Sequence, residues 1–182
     1  HLGLVEVPLP PIPEQKHIVA LLDQAFADID RARELTERNL HNARELFESK
    51  KIGLFENLAS SSDMMPLPLV CKNIFAGGDA PKKELFSKEK TKNFSIPIFA
   101  NAVKCNGLYG YTDFARSNEP SITIAARGSG TGHIELRKEP FFPIVRLIVL
   151  TPDAEIVDLS YLKHALQTLD ILRSGSAIPQ LT

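Results

Sequence analysis

The sequence predicts an α+β chain: a long α-helix followed by a globular, mixed but mainly antiparallel β domain that closes with a C-terminal helix. Three observations predict it. Apolar or small residues recur from Ile18 to Leu58 at about 3.6 positions per step, the period of a straight helix. No proline falls between residues 14 and 65. Beyond a polar stretch at 59–63, the period gives way to short β-branched or aromatic runs set off by Gly, Pro, Asn and Asp.

Residues 1–13, ending in "VPLPPIP", read as a short strand at Leu4–Val7 and a proline-stiffened connector, which stays non-helical until its prolines have passed. Pro13 suits a first helical position, where its missing N–H costs nothing, and Glu14 favours the positive end of the helix dipole. The helix is placed over residues 14–59, roughly 65 Å at 1.5 Å per residue. Its stripe is Ile18, Leu22, Ala25, Ile29, Ala32, Thr36, Leu40, Ala43, Phe47 and Leu54, with Lys51 as the one charged interruption. So narrow a stripe with small residues in it calls for a second long helix, and is more than a small domain needs for its own core. Gly53 marks a bend or a close approach, and "ASSSD" supplies a linker at 60–63.

Residues 64–182 form the second domain. "SIPIFA" (95–100), "GLYGYT" (107–112), "SITIAA" (121–126), "TGHIELR" (131–137) and "PIVRLIVL" (143–150) are expected as strands of one twisted sheet or partial barrel. "DLSYLKHALQTLDILR" (158–173) returns to helical spacing through Leu162, Leu166, Leu169 and Leu172, with Asp158 or Ser160 as cap and Gly175 as stop.

The net charge of −1 is unevenly spread. Residues 14–58 carry 7 Lys/Arg against 9 Asp/Glu, whereas residues 64–182 carry 14 against 11. Between residues 82 and 104, Lys82, Lys83, Lys88, Lys90, Lys92 and Lys104 face only Glu84 and Glu89. Cys71 and Cys105 are far apart and lack a neighbouring ligand at metal spacing, so no disulfide framework or zinc site is indicated, and a reducing cytoplasm fits. No run of about 18 apolar residues suggests a membrane span. The start at His1 rather than Met reads as a fragment or processed chain.

"ARGSGTGHI" (125–133) is not a phosphate cradle: the GxxxxGK[ST] lysine is missing, and a strand rather than a helix follows. It reads as a tight antiparallel connection in which glycine supplies positive φ. Acid-x-lysine pairs occur only inside the long helix, ahead of Pro152-Asp153, which is the wrong order for a metal nuclease. The histidines are scattered, and no GxSxG elbow or methyl-transfer motif is present. No catalytic residue, cofactor or metal is expected. The lysine-rich stretch instead suits DNA phosphates. Asn101, Asn106, Tyr109, Tyr111 and Thr112, with Arg127, Ser129, Thr131 and His133 of the glycine turn, supply directional polar groups nearby.

"VPLPPIPEQKHIVALLDQAFADID" resembles the connector and conserved helix of the specificity subunits of type I restriction-modification systems. "FAGGDAPKKELFSKEKTKNFSIPIFAN", "GLYGYT", "SITIAARGSGTGHI" and "PFFPIVRLIVLTP" resemble one branch of that family's target-recognition domains. The resemblance implies one spacer helix and one recognition domain, half of a pattern in which two domains alternate with two antiparallel helices. It implies that double-stranded DNA is read at one half-site of a bipartite target, and that the helix docks methyltransferase subunits. The helix would pair with a second helix of the same subunit or of a homodimer partner. Methyl transfer and ATP-driven cleavage would belong to modification and restriction/translocase subunits. It also implies that Leu4–Val7 lies near Ile178–Thr182, as in a piece cut from a cyclic arrangement. Two other readings stay open: the specificity segment of a fused restriction-methylation enzyme, and a helical interaction scaffold that binds no DNA.

Overall fold

The computed structural model describes residues 3, 5–128 and 130–169, together with the backbone of 173–174 and 180–181. It contains two compact units, His1–Lys50 and Lys51–Thr182. An α+β architecture results, with a long helix first and strands in mixed sheets after it.

Helix α1 (Ile12–Ser61) is unbroken over fifty residues and buries none of them. It begins as Glu14 and Gln15 donate their backbone N–H groups to Pro11 O at 2.9 and 3.1 Å, while the Gln15 side chain reaches back to Pro10 O at 2.7 Å. Exposed i, i+4 partners, Arg33–Glu37 at 3.4 Å and Gln24–Asp28 at 3.1 Å, add a few tenths of a kcal/mol each. Thr36 bonds Ala32 O at 2.8 Å, which satisfies its hydroxyl within the helix and lets the stripe remain apolar.

Ile18, Leu22, Ile29, Leu40, Phe47 and Leu54 are all exposed, as are Val19, Leu21, Phe26, Leu35 and Leu46. At 100° per residue the second group flanks the first on both sides, so the apolar face is broader than the single narrow stripe expected. A Cβ at Gly53 would meet nothing within 4 Å, so no close approach within the chain explains that glycine.

The expected strand at Leu4–Val7 is not formed where it is described. Residues 5–10 have no regular structure, and Val5 and Val7 are exposed. An apolar alternation becomes a strand only when an edge pairs with it. The expected neighbourhood of Leu4–Val7 and Ile178–Thr182 involves residues 4, 178, 179 and 182, which lie outside the described residues.

The second unit holds the end of α1, a short helix α2 (Leu67–Val70), strands β1 (Cys71–Ala76), β2 (Ile96–Phe99), β3 (Leu108–Thr112), β4 (Ser121–Ile124), β5 (Ile134–Arg137), β6 (Phe142–Pro143) and β7 (Ile148–Pro152), helix α3 (Leu159–Thr168), and the short pair β8 (Arg173–Ser174) and β9 (Gln180–Leu181). In place of the one expected sheet there are two larger ones. An antiparallel sheet runs β1-β7-β4-β5, and a three-stranded sheet runs β3-β2-β6, in which β2 pairs antiparallel with β3 and parallel with β6.

The run at 143–150 is also not one strand. It breaks between β6 and β7 at Val145 and Arg146, whose φ values of 54° and 56° are left-handed. Strand β1 was not legible in the sequence: it is the edge of its sheet, and Lys72 and Asn73 interrupt its apolar pattern.

Strand β4 is buried throughout, as its central position requires, and its β-branched residues fit a pleated interior. Its polar groups are satisfied internally, with Ser121 Oγ 3.0 Å from Thr151 Oγ1. Helix α3 starts at Asp158, whose carboxylate accepts from the Ser160 and Tyr161 N–H groups at 2.8 Å. It packs Leu162 and Leu166 on Ile122, Ile124, Ile134 and Leu150, each leucine contributing about 1.5–3 kcal/mol. The helix ends at Thr168, short of the expected 173. Leu169 is exposed, and Leu172 and Gly175 lie outside the described residues. A second cluster, Ile98, Phe142 and Ile144, sits on the smaller sheet. The Phe55 ring, on the end of α1, lies 5.5 Å from the Tyr161 ring.

Candidate functional site

The strand registers bring four connections to one end of the two sheets. Ala76 lies opposite Ile148, Ile148 opposite Ile124, Ile124 opposite Ile134, and Phe99 beside Pro143. The chain leaving β1, the β2–β3 loop, the β4–β5 loop and the β6–β7 turn therefore share an edge.

Asn101 ties three of them together. Its Oδ1 accepts from Ala126 N–H at 2.9 Å in the β4–β5 loop, and its Nδ2 donates to Val145 O in the β6–β7 turn. The turn is held further by Val145 N–H to Gly78 O at 2.8 Å and Arg146 N–H to Gly77 O at 2.9 Å. Gly77 is required there, because a Cβ would stand 2.7 Å from Pro143 C. These bonds fix two non-glycine residues in the left-handed region, at a cost on the order of 1–3 kcal/mol each. An open groove of about 350 Å³ lies between Gly77–Ala80, Arg127, Val145 and Arg146.

The glycine run closes β4 onto β5 as a turn. Gly132 N–H bonds Ala125 O, Ala125 N–H bonds His133 O, and Gly128 and Gly132 carry φ values of 80° and 88°. Gly130 has a different task. A Cβ on it would fall 2.9 Å from Val103 Cγ2, so its bare backbone lets this turn lie against the β2–β3 loop.

That loop contains three successive left-handed residues, Cys105, Asn106 and Gly107. Arg137, which the sequence did not single out, holds them. Its guanidinium donates to Asn106 O at 2.6 Å and to Thr123 Oγ1 at 3.1 Å, and lies 3.6 Å from the Phe99 ring centroid. Burial lowers its pKa to about 10, against the opposing pull of the Glu135 carboxylate. A charge so buried acts through the groups it holds. No sequence signal separates it from a solvent-facing strand arginine.

The lysines occupy a second arm. Ser87 bridges to the outer edge of β3 through Ser87 N–H to Tyr111 O at 2.9 Å and Tyr111 N–H to Ser87 O at 2.8 Å. Phe86 packs on Tyr109 at 5.4 Å, and Lys88 Nζ lies 4.3 Å from the Tyr109 ring centroid and 3.3 Å from Tyr109 O. Gly110 permits this: a Cβ there would be 2.5 Å from the Phe86 ring and 2.6 Å from Ser87 O. Lys82, Lys83, Lys88, Lys90, Lys92 and Lys104 are all exposed.

Of the polar residues expected to face a ligand, Asn106 and Tyr109 are exposed, while Arg127, His133 and Tyr111 are half-buried. His133 Nε2 lies 3.1 Å from Glu135 Oε1. Thr112 is a correction: it is fully buried at the end of β3, its hydroxyl 3.3 Å from Asp113, because its strand position points inward. Thr131 is buried as well and donates to Gly128 O at 2.6 Å, so it shapes the turn from within. Asn101 is half-buried and spends its amide on other loops. Ser129 lies outside the described residues. The charged residue inside the apolar run "PIVRLIVL" was the available sequence signal for the Arg146 turn.

Residues 70–182 match the family described as the type I restriction modification DNA specificity domain. The chain belongs to that family. Two putative type I specificity subunits of Mycoplasma pneumoniae are each 35% identical to it over 113 residues, 62% of this chain. Those residues amount to 32% and 30% of the two relatives, so the chain matches about a third of their length.

Among solved structures, the S subunit of a type I restriction-modification system from M. genitalium shares the fold. Its TM-score is 0.51 at 23% identity, covering 65% of this chain and 30% of that one. A chain from a structure describing assembly and conformational transition of the type I system gives 0.53 at 18% identity, covering 90% and 43%. The family match covers the domain of both sheets and the loops at their shared edge. Among the described residues, no helix is long and apolar enough to cross a membrane.

Proposed function

We propose that this chain is a sequence-recognition module for double-stranded DNA, reading one half-site of a bipartite target within a type I restriction-modification complex. The observation that carries the reading is the shared edge of the two sheets. Loops from four connections are locked together there, Lys104, Arg127 and Arg146 stand on them, and the domain that bears them is the one the DNA specificity family matches.

Exposed lysines at 82–92 supply charge that neutralises phosphates whatever the sequence, while the rigid loops offer side chains to base edges. The exposed apolar face of α1 pairs with a second long helix, from the same subunit or from a homodimer partner. The helix also docks methyltransferase subunits. Methylation and cleavage are carried out by those subunits and by a restriction/translocase subunit, and this chain is non-catalytic.

Replacing Lys88, Lys90 and Lys92 together by alanine tests the placement. Binding to all duplex sequences should weaken alike, and the slope of log K against log salt should flatten by about 0.9 for each phosphate that is no longer neutralised. Lys88 is partly held by Tyr109, so Lys90 and Lys92 should contribute most of the change. An unchanged slope overturns the placement.

A further inference from the structure

We infer that the β6–β7 turn is a base-reading element, with Val145 packing on a thymine methyl and Arg146 donating to the acceptor edge of a guanine in the adjacent base pair. The inference rests on the DNA-recognition reading above and gives that site two specificity residues outside the polar set expected from the sequence.

A β-branched residue at positive φ is a genuine outlier, and such outliers persist only where the surroundings over-determine them. Here the surroundings are identified: Asn101 Nδ2 on Val145 O, Gly78 O on Val145 N–H, and Gly77 O on Arg146 N–H. Glycine or asparagine would take the same conformation with less strain, yet the turn presents valine and arginine. Folding alone gives no reason for this pair. Val145 is 53% exposed, so its methyl groups pack on little of the domain's interior, and Arg146 is exposed beside it.

The two side chains carry the chemistry of direct readout, an apolar surface for the thymine 5-methyl and a fork of donors for guanine O6 and N7. Consecutive Cα atoms are about 3.8 Å apart, so both side chains leave the edge at one place and reach the same short stretch of duplex. The turn also borders the groove that Arg127 lines, on the edge where the other loops meet.

Val145→Gly and Val145→Asn keep the turn, because both residues accept the left-handed conformation. Arg146→Ala removes the fork. The 182-residue chain and each variant are used to select duplexes from a randomised pool, and the retained DNA is sequenced.

Both Val145 variants should melt no lower than wild type. They should lose about tenfold preference for thymine at one position of the recovered consensus, with the salt slope unchanged. Arg146→Ala should lose a comparable preference for guanine at the adjoining position. Variants that recover the wild-type consensus overturn the inference and leave the DNA reading intact. So does an Arg146→Ala variant that flattens the salt slope by about 0.9 with its consensus unchanged, since that marks Arg146 as a phosphate ligand. A wild-type chain that enriches no sequence overturns both.

Discussion

Gly110→Ala loosens the lysine-bearing arm from the sheet that supports it. The new methyl would sit 2.5 Å from the Phe86 ring and 2.6 Å from Ser87 O. The ring can rotate away, but the backbone oxygen cannot move without giving up the Ser87–Tyr111 bridge. Overpacking at a buried position costs about 1–3 kcal/mol. If the arm detaches instead, two backbone hydrogen bonds at about 1 kcal/mol each and the Phe86–Tyr109 stack, worth about 0.5–1.5 kcal/mol, are given up. Detachment therefore sums to about 2.5–3.5 kcal/mol and also strips Phe86 from the core of Ile98, Phe142 and Ile144, so the overpacked route, which weakens the Ser87–Tyr111 bridge, is the cheaper at about 1–3 kcal/mol.

Urea unfolding should therefore show a loss of about 3 kcal/mol or less. Amide exchange should show faster exchange at Ser87 and Tyr111, with β4 still protected. DNA affinity should fall in the same direction as on removal of Lys88, Lys90 and Lys92 but by less, since Lys88 loses its place over Tyr109. Unchanged stability with unchanged protection at Ser87 and Tyr111 would refute the account of this arm.

Asn101→Ala should cost about 2–3 kcal/mol by urea unfolding, because it strips a partner from both Ala126 N–H and Val145 O. Asn101→Asp keeps the acceptor for Ala126 but sets a carboxylate oxygen against Val145 O, so it should cost at least as much as the alanine. Gly53→Ala should stabilise the helix by about 1 kcal/mol in thermal unfolding, since the added methyl meets nothing within the chain. A destabilisation at that position would place a closely packed neighbouring helix there.

The helix and its polarity were legible because each rests on local signals: a 3.6-residue period, Pro13 and Glu14 at the start, and no proline from residue 14 to 65. The β4–β5 turn and the Asp158 cap were legible for the same reason. Sheet membership was not, because two sheets and one produce the same alternation along each strand. Strand β1 escaped because an edge strand shows water half of its surface. The β6–β7 break escaped because its one local signal, the charge of Arg146 inside an apolar run, does not by itself specify a turn, and the bonds that hold the turn come from residues 77, 78 and 101. The basic arm could be read as charge, but its attachment depends on Gly110 facing Phe86 across more than twenty residues. Thr112 and Thr131 looked like surface polar groups, and only the strand phase and the inner bonding of the turn show that they face inward.

The most direct measurement is equilibrium capture of random-sequence duplex DNA by the unmodified chain at a series of salt concentrations, with sequencing of what is retained. Capture should be tight and strongly salt-dependent at low salt, and one short motif should be enriched as salt rises and the attraction to phosphates weakens. Failure to retain duplex DNA even at low salt, or retention with no motif at any salt, would contradict the DNA-recognition role.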